Sequence, residues 1–237
     1  PMHEFFDLFV IGEGEEVILE IVDTYRKCKD DFKSGKISKQ DLLIILAGIE
    51  GVYVPSLYEL TYNSQGKIEE FKPKAEGFPK KIKKRFIRDL DNAIFPLEWL
   101  VPYIEIIHDR IILEIMRGCP NQCCFCQARQ QYYPFRIRNA EKILTLAIET
   151  CKRSGYEEVS LAGLSVSDYP HMEELTQRLV DVFKERGVAV SLPSIKPKAN
   201  VGNLSSIIAG IKKTSLTFAP EAATEKLRRI LNKNFDT

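Results

Sequence analysis

Apolar and polar positions along the chain follow two regimes. Up to residue 110 the pattern is mixed. Residues 6–11, FDLFVI, read as a short buried strand, with Gly12 and Gly14 after it. Residues 15–28 place Val17, Ile18, Ile21, Val22 and Tyr25 at the spacing of a helix. Strand, glycine turn and helix make one βα unit. Gly12-Glu13-Gly14 has Val17 where a phosphate-binding G-x-G-x-x-G loop needs its third glycine, so it reads as a tight turn. Residues 38–49 suggest a second helix, capped by Ser38. Residues 53–73 alternate like the arms of a hairpin, turned by Asn63-Ser64-Gln65-Gly66. Residues 72–110 form a connector holding Trp99 and His108.

From residue 111 the pattern becomes regular. IILEIM, residues 111–116, is strand-like. Asn139 caps a predicted helix with Ile143, Leu144, Ala147, Ile148 and Cys151 on one side, closed by Gly155. EEVSLAG, 157–163, is a second strand. A helix over 171–187 follows, with Leu175, Leu179, Val182 and Phe183 inward and Gly187 at its end. VAVSL, 188–192, is a third strand, and Asn203 caps a short helix with Ile207, Ile208 and Ile211. TSLTFA, 214–219, and 223–233 supply a fourth strand and helix. Strands alternating with helices predict a parallel sheet. Right-handed crossovers then put the strand-to-helix loops on one edge, where sites form.

Composition narrows the class. Of 237 residues 44% are apolar and 28% charged, the balance of a globular protein. No run approaches the ~20 apolar residues of a membrane helix, and no signal pattern opens the chain, so a cytoplasmic setting without membrane contact is expected. Pro1 precedes Met2 and the chain stops just after a helical pattern, so it is expected to be a fragment. The net charge of +1 excludes a generally basic nucleic-acid binder. One stretch departs from this: Lys72, Lys74, Lys80, Lys81, Lys83, Lys84, Arg85 and Arg88 form either a solvated face or a phosphate-contacting strip.

The chemistry concentrates in MRGCPNQCCFCQA, residues 116–128, where Cys119, Cys123, Cys124 and Cys126 lie within one loop. A cytoplasmic chain does not keep disulfides, and residues this close strain the bridge. Structural zinc takes four ligands, usually from two separated pairs, and here His108 would have to complete a Cys3His set. An iron–sulfur cluster fits the thiolates better. Cys119, Cys123 and Cys126 give C-x3-C-x2-C with Phe125 before the last cysteine, and Cys124 as the spare. Three thiolates on a four-iron cluster leave one iron open to an outside ligand. Cys28 and Cys151 sit in helical patterns and read as packing residues.

CPNQCCFC, placed after the first strand of a βα series, resembles the signature of the radical S-adenosylmethionine superfamily. The resemblance implies a 4Fe-4S cluster whose open iron chelates S-adenosyl-L-methionine, reductive cleavage of a carbon–sulfur bond, and a radical that abstracts hydrogen from a substrate. It implies a reductant such as a ferredoxin or flavodoxin. It places Phe125 beside the cluster, near the adenine. The loop Leu161-Ala162-Gly163-Leu164-Ser165-Val166-Ser167-Asp168 stands where the family touches the methionine, so Ala162, Gly163 and Ser165 become contacts; Ser167 or Asp168 serves equally as a helix cap. Ser194 and Lys196 stand where the family binds the carboxylate, Lys196 reading otherwise as a surface residue. Glu221, in FAPEA, meets the ribose or favours the following helix. Arg136 and Arg138 balance cluster charge, bind an anionic substrate, or form a surface ion pair. No residue is assigned to act on the substrate itself.

FVIGEGEEVILEIV, GVYVPSLYE, KKIKKRFIRDLD and VPYIEIIHDRIILEIMRGC together resemble uncharacterised members with an N-terminal cobalamin-binding-like domain. The expected fold is α/β. Residues 1–35 end a Rossmann-like domain, 36–109 form an α+β connector, and 110–237 give the first four βα units of a partial parallel (β/α) barrel. The D-x-H-x-x-G pattern that ligates cobalamin is absent, because Phe6 stands three residues after His3. The reaction is expected to be radical chemistry on an unknown substrate. Its alternatives are methylthiotransferase-like RNA modification, cobalamin-dependent methyl transfer, or a structural-metal module that binds nucleic acid.

Overall fold

The computed structural model describes residues 2–104, 106–193, 195–196, 201–208, 219–233 and 235. The chain folds as two compact units, residues 1–88 and 89–237.

In the first unit only part of the run 6–11 pairs. β1 (Phe9–Val10) lies antiparallel to β2 (Val52–Tyr53), with Phe9 opposite Tyr53. α1 (Val17–Lys33) runs past residue 28 and buries Val17, whereas Ile18, Val22 and Tyr25 are exposed. Its packed stripe is thus narrower than its apolar stripe. α2 (Lys39–Ala47) starts at a reciprocal cap: the Ser38 hydroxyl accepts from the Asp41 N–H at 3.1 Å, and the Asp41 carboxylate accepts from the Ser38 N–H at 2.8 Å. A 3-10 turn at Pro55–Leu57 separates β2 from β3 (Tyr58–Tyr62). The hairpin of β3 with β4 (Ile68–Pro73) is therefore shorter than 53–73. Its turn is tied by Asn63 Oδ1, which accepts from the N–H groups of Gln65 and Lys67. Val17, Leu43, Val54, Leu57 and Tyr58 form the core.

The basic run is largely paired inside this unit. Lys83 lies 2.9 Å from Glu50 and Lys72 3.0 Å from Glu70. Arg85 reaches both Glu16 and Glu20. Its backbone is also held, donating to Ile11 and accepting from Glu13. Lys72, Lys83 and Arg85 of the run thus face carboxylates of the same unit.

In the second unit β5 (Ile111–Glu114) is shorter than the predicted strand 111–116. β6 (Met116–Arg117) leaves it and pairs antiparallel with β7 (Arg136–Ile137), across the cysteine loop and the single-turn α3 (Ala128–Gln131). α4 (Ala140–Ser154) starts at Asn139, whose side chain accepts from the Glu141 N–H, and ends at left-handed Gly155. Then come β8 (Glu158–Ala162), α5 (Met172–Phe183), β9 (Ala189–Ser191), α6 (Val201–Ile208) and α7 (Glu225–Ile230). The sheet has the order β5-β8-β9 and is parallel throughout, with Ile111 opposite Val159 and Glu158 opposite Ala189. This is the mixed α/β fold with a partial parallel barrel that the alternation predicts.

Helix details differ from the expectations. Val182 is exposed and Val180 takes the core position. Asn203 lies inside α6 and does not cap it. Thr224 caps α7, accepting from the Leu227 N–H, so that helix is shorter than 223–233. Ile211 and residues 214–218 of the predicted fourth strand lie outside the described residues. Ile111, Leu113, Leu161, Val190, Ile143 and Phe183 pack the sheet against α4 and α5. Among the described residues no helix is long and apolar enough to cross a membrane.

Candidate functional site

Three parallel strands send their following loops to the same sheet edge, and the site is built from those loops. The first is re-aimed at once. The Ile115 N–H still donates to Ala162 in β8, at 3.0 Å, but its carbonyl accepts from Arg138 at 2.8 Å. The chain then enters β6, and β6 with β7 pins the two ends of the cysteine loop. Gly118, directly before Cys119, sits at φ +85°. A Cβ there would lie 2.7 Å from the Tyr132 carbonyl oxygen and 2.9 Å from Phe135 Cα, so only glycine fits.

Cys119, Cys123 and Cys126 line one cleft of about 350 Å³ together with Phe125, Ser165 and Lys196. They come from the loops after β6, β8 and β9. Cys124 is exposed and turned away: its N–H donates to Leu231 at 3.0 Å, and its sulfur lies 3.7 Å from the Ile230 carbonyl. A hydrogen-bonded polar cluster lies at the cleft, whose exposed lining is otherwise mainly apolar. Asn121 Nδ2 donates to Asp168 at 2.5 Å and lies 3.4 Å from the Cys119 sulfur. The Ser165 hydroxyl donates to the same Asp168 oxygen at 2.7 Å. Lys196 donates from Nζ to Asn121 Oδ1 at 3.0 Å and from its N–H to the Ser167 hydroxyl at 2.9 Å. Asp168 and Ser167 thus tie loops together rather than cap a helix. Burial pushes the Cys123 thiol up; Lys233 and Lys196 pull it down, and Cys119 and Cys126 add to the rise.

The remaining expected contacts stand apart from the cleft wall. Ala162 spends its carbonyl on Ile115. The space left by the missing side chain of Gly163 is taken by Met116, whose Cγ would lie 2.4 Å from a Cβ there. Glu221 holds Lys233 Nζ at 2.7 Å, from a backbone at φ +63°. Ser194 lies outside the described residues. Arg138 is not a surface ion-pair residue. Arg138 is fully buried, donates from Nε to the Glu114 carbonyl at 3.1 Å, and leaves Nη1 without a partner; burial lowers its pKa. Arg136 donates to the carbonyl of Pro134 at 2.9 Å, inside its own loop.

Sequence reasoning passed over Asn121 and Lys233. Asn121 sits between two of the expected ligands, which is the one local signal that could have found it. Among the described residues no three His, Cys, Asp or Glu side chains converge as a single metal ion requires. His108 stands 3.1 Å from Arg110, not beside the cysteines, so the Cys3His zinc arrangement is not formed. The thiols line a cleft instead of closing a cage. Soft ligands facing an open, partly polar space suit a multi-iron cluster with room beside it.

Comparison with known proteins identifies the family. The family described as Radical SAM superfamily matches residues 113–237, and the one described as Radical SAM proteins, N-terminal, matches residues 1–55. An uncharacterized protein of Methanocaldococcus jannaschii is 30% identical over 236 residues, covering 99% of this chain and 42% of its own length. The chain thus spans less than half of that relative. Two solved structures of the radical S-adenosylmethionine methyltransferase TsrM from Kitasatospora setae are also similar. One, with cobalamin and a 4Fe-4S cluster bound, has a TM-score of 0.47 and 13% identity over 97% of this chain and 45% of its own. The other, with tryptophan and aza-SAM, has a TM-score of 0.49 and 12% identity over 94% and 38%. The thiol loop, the parallel sheet that carries it and the family match over residues 113–237 lead to one conclusion: this chain belongs to the radical S-adenosylmethionine superfamily of enzymes.

Proposed function

We propose that Cys119, Cys123 and Cys126 hold a 4Fe-4S cluster in the cleft, and that S-adenosyl-L-methionine binds beside it to start radical chemistry on a substrate of the longer protein. The observation that carries this reading is the gathering of those three thiols, and not Cys124, on one cleft of about 350 Å³. When bound, the cluster supplies one electron and one iron without a protein ligand. The chain's own groups do the rest. Lys196 offers an ammonium to a carboxylate, and Ser165 a hydroxyl held in place by Asp168. Phe125 gives an apolar ring at the cleft, with Lys233 Nζ 6.0 Å from its centroid. Glu221 orients that lysine. Together the ring and the two ammonium groups narrow the opening and limit water. A ferredoxin- or flavodoxin-like reductant supplies the electron. Cobalamin, whose D-x-H-x-x-G ligand motif does not occur in this sequence, is not assigned to this chain.

Anaerobic reconstitution with iron and sulfide tests the reading. The protein should turn brown, and its electron paramagnetic resonance signal should change on adding S-adenosyl-L-methionine. Cys119→Ala should lose the cluster and Cys124→Ala should keep it. A centre indifferent to the sulfonium compound, or a cluster retained without Cys119, would falsify the assignment.

A further inference from the structure

Asn121 sits where three loops of the cleft meet, and its chemistry is fixed by its partners. A lysine ammonium can only donate, so the atom 3.0 Å from Lys196 Nζ is the carboxamide oxygen. An aspartate carboxylate accepts, so the atom 2.5 Å from Asp168 is the amide nitrogen. The orientation of the amide is therefore set without ambiguity. One N–H is directed at Asp168. The other is left to face the Cys119 sulfur at 3.4 Å and the Ser165 oxygen at 3.5 Å. Lys196 on the oxygen side polarises the group and strengthens its N–H as a donor.

We propose that Asn121 is a positioning residue for the metal centre: its amide, clamped between Asp168 and Lys196, donates to the Cys119 thiolate and raises the reduction potential of the cluster. This rests on the cluster reading above. The physical reason is charge. Reduction adds an electron to the cluster, and a donor at a ligating sulfur stabilises the more negative state. Removing that donor should make the cluster harder to reduce.

The test is a spectroelectrochemical titration of the reconstituted protein. Asn121→Leu keeps the bulk and removes the donor. It should shift the potential to a more negative value, by roughly tenfold in the reduction equilibrium, or about 59 mV for one electron. Asn121→Ser supplies an independent check: it keeps a hydroxyl donor in a smaller side chain and changes no charge, so its potential should fall between those of the wild type and Asn121→Leu. An unchanged potential in Asn121→Leu overturns the proposal. If Asn121→Leu retains no cluster, Asn121→Ala takes its place, with the same downward shift expected and an unchanged potential overturning the proposal. Failure of the cluster reading would show separately, as wild-type protein that takes up no iron or keeps its chromophore without Cys119.

Discussion

Gly118 shows how much one residue can decide in this fold. Its positive φ and the backbone atoms crowding its missing side chain leave no room for alanine. Gly118→Ala should cost about 1–3 kcal/mol in backbone strain and displace the start of the cysteine loop. Lower unfolding free energy and fewer irons per chain after reconstitution are the expected readouts; full iron content would count against it. The three clustered thiols were legible from their spacing, whereas Phe125, Ser165 and Lys196, which line the same cleft, were reached through the family resemblance of their loops. Asn121 was not legible, because its partners Ser165, Asp168 and Lys196 lie 44, 47 and 75 residues away. Arg138 misled for a related reason: a basic residue near another basic residue looks solvated, and only tertiary packing reveals it as buried.

Among the elements, α4 agrees with its sequence at both ends. Asn139→Ala removes the oxygen that accepts from the Glu141 N–H, at 2.9 Å. It should lower unfolding free energy by about 1 kcal/mol, measured by urea denaturation; a change near zero would mean the neighbouring contacts carry the helix start. Caps and periodicities of this kind are written in consecutive residues, so α2, α4 and α5 could be read directly. The split of IILEIM into β5 and β6 could not. The run is apolar but for Glu114, and what separates the strands is the two-residue pairing of Met116–Arg117 with Arg136–Ile137 across the whole cysteine loop. The hairpin was overlong for the same reason, since Val52–Tyr53 finds its partner in Phe9–Val10 instead.

At the scale of the molecule, the parallel direction of β5, β8 and β9 and the shared edge of their following loops were legible from alternation and crossover handedness, whereas the strand order was not read from the sequence. The connector was less transparent. Phe95, Leu97 and Trp99 pack on the second unit's core, while Leu100, Tyr103 and Ile107 project almost entirely into solvent. Such a stretch is a preferred site of proteolytic cutting. Brief chymotrypsin treatment should cleave first at Tyr103, seen as two fragments by mass spectrometry; a first cut inside β5 or α4 would contradict this. A last consequence concerns biogenesis. The backbone around Cys124 is fastened by Leu231, and Asn232 donates to the Gln122 carbonyl from 110 residues further along the chain. During synthesis the thiols leave the ribosome well before the segment that locks them. The cysteine loop therefore takes its described form only once Leu231 and Asn232, just after α7, have emerged.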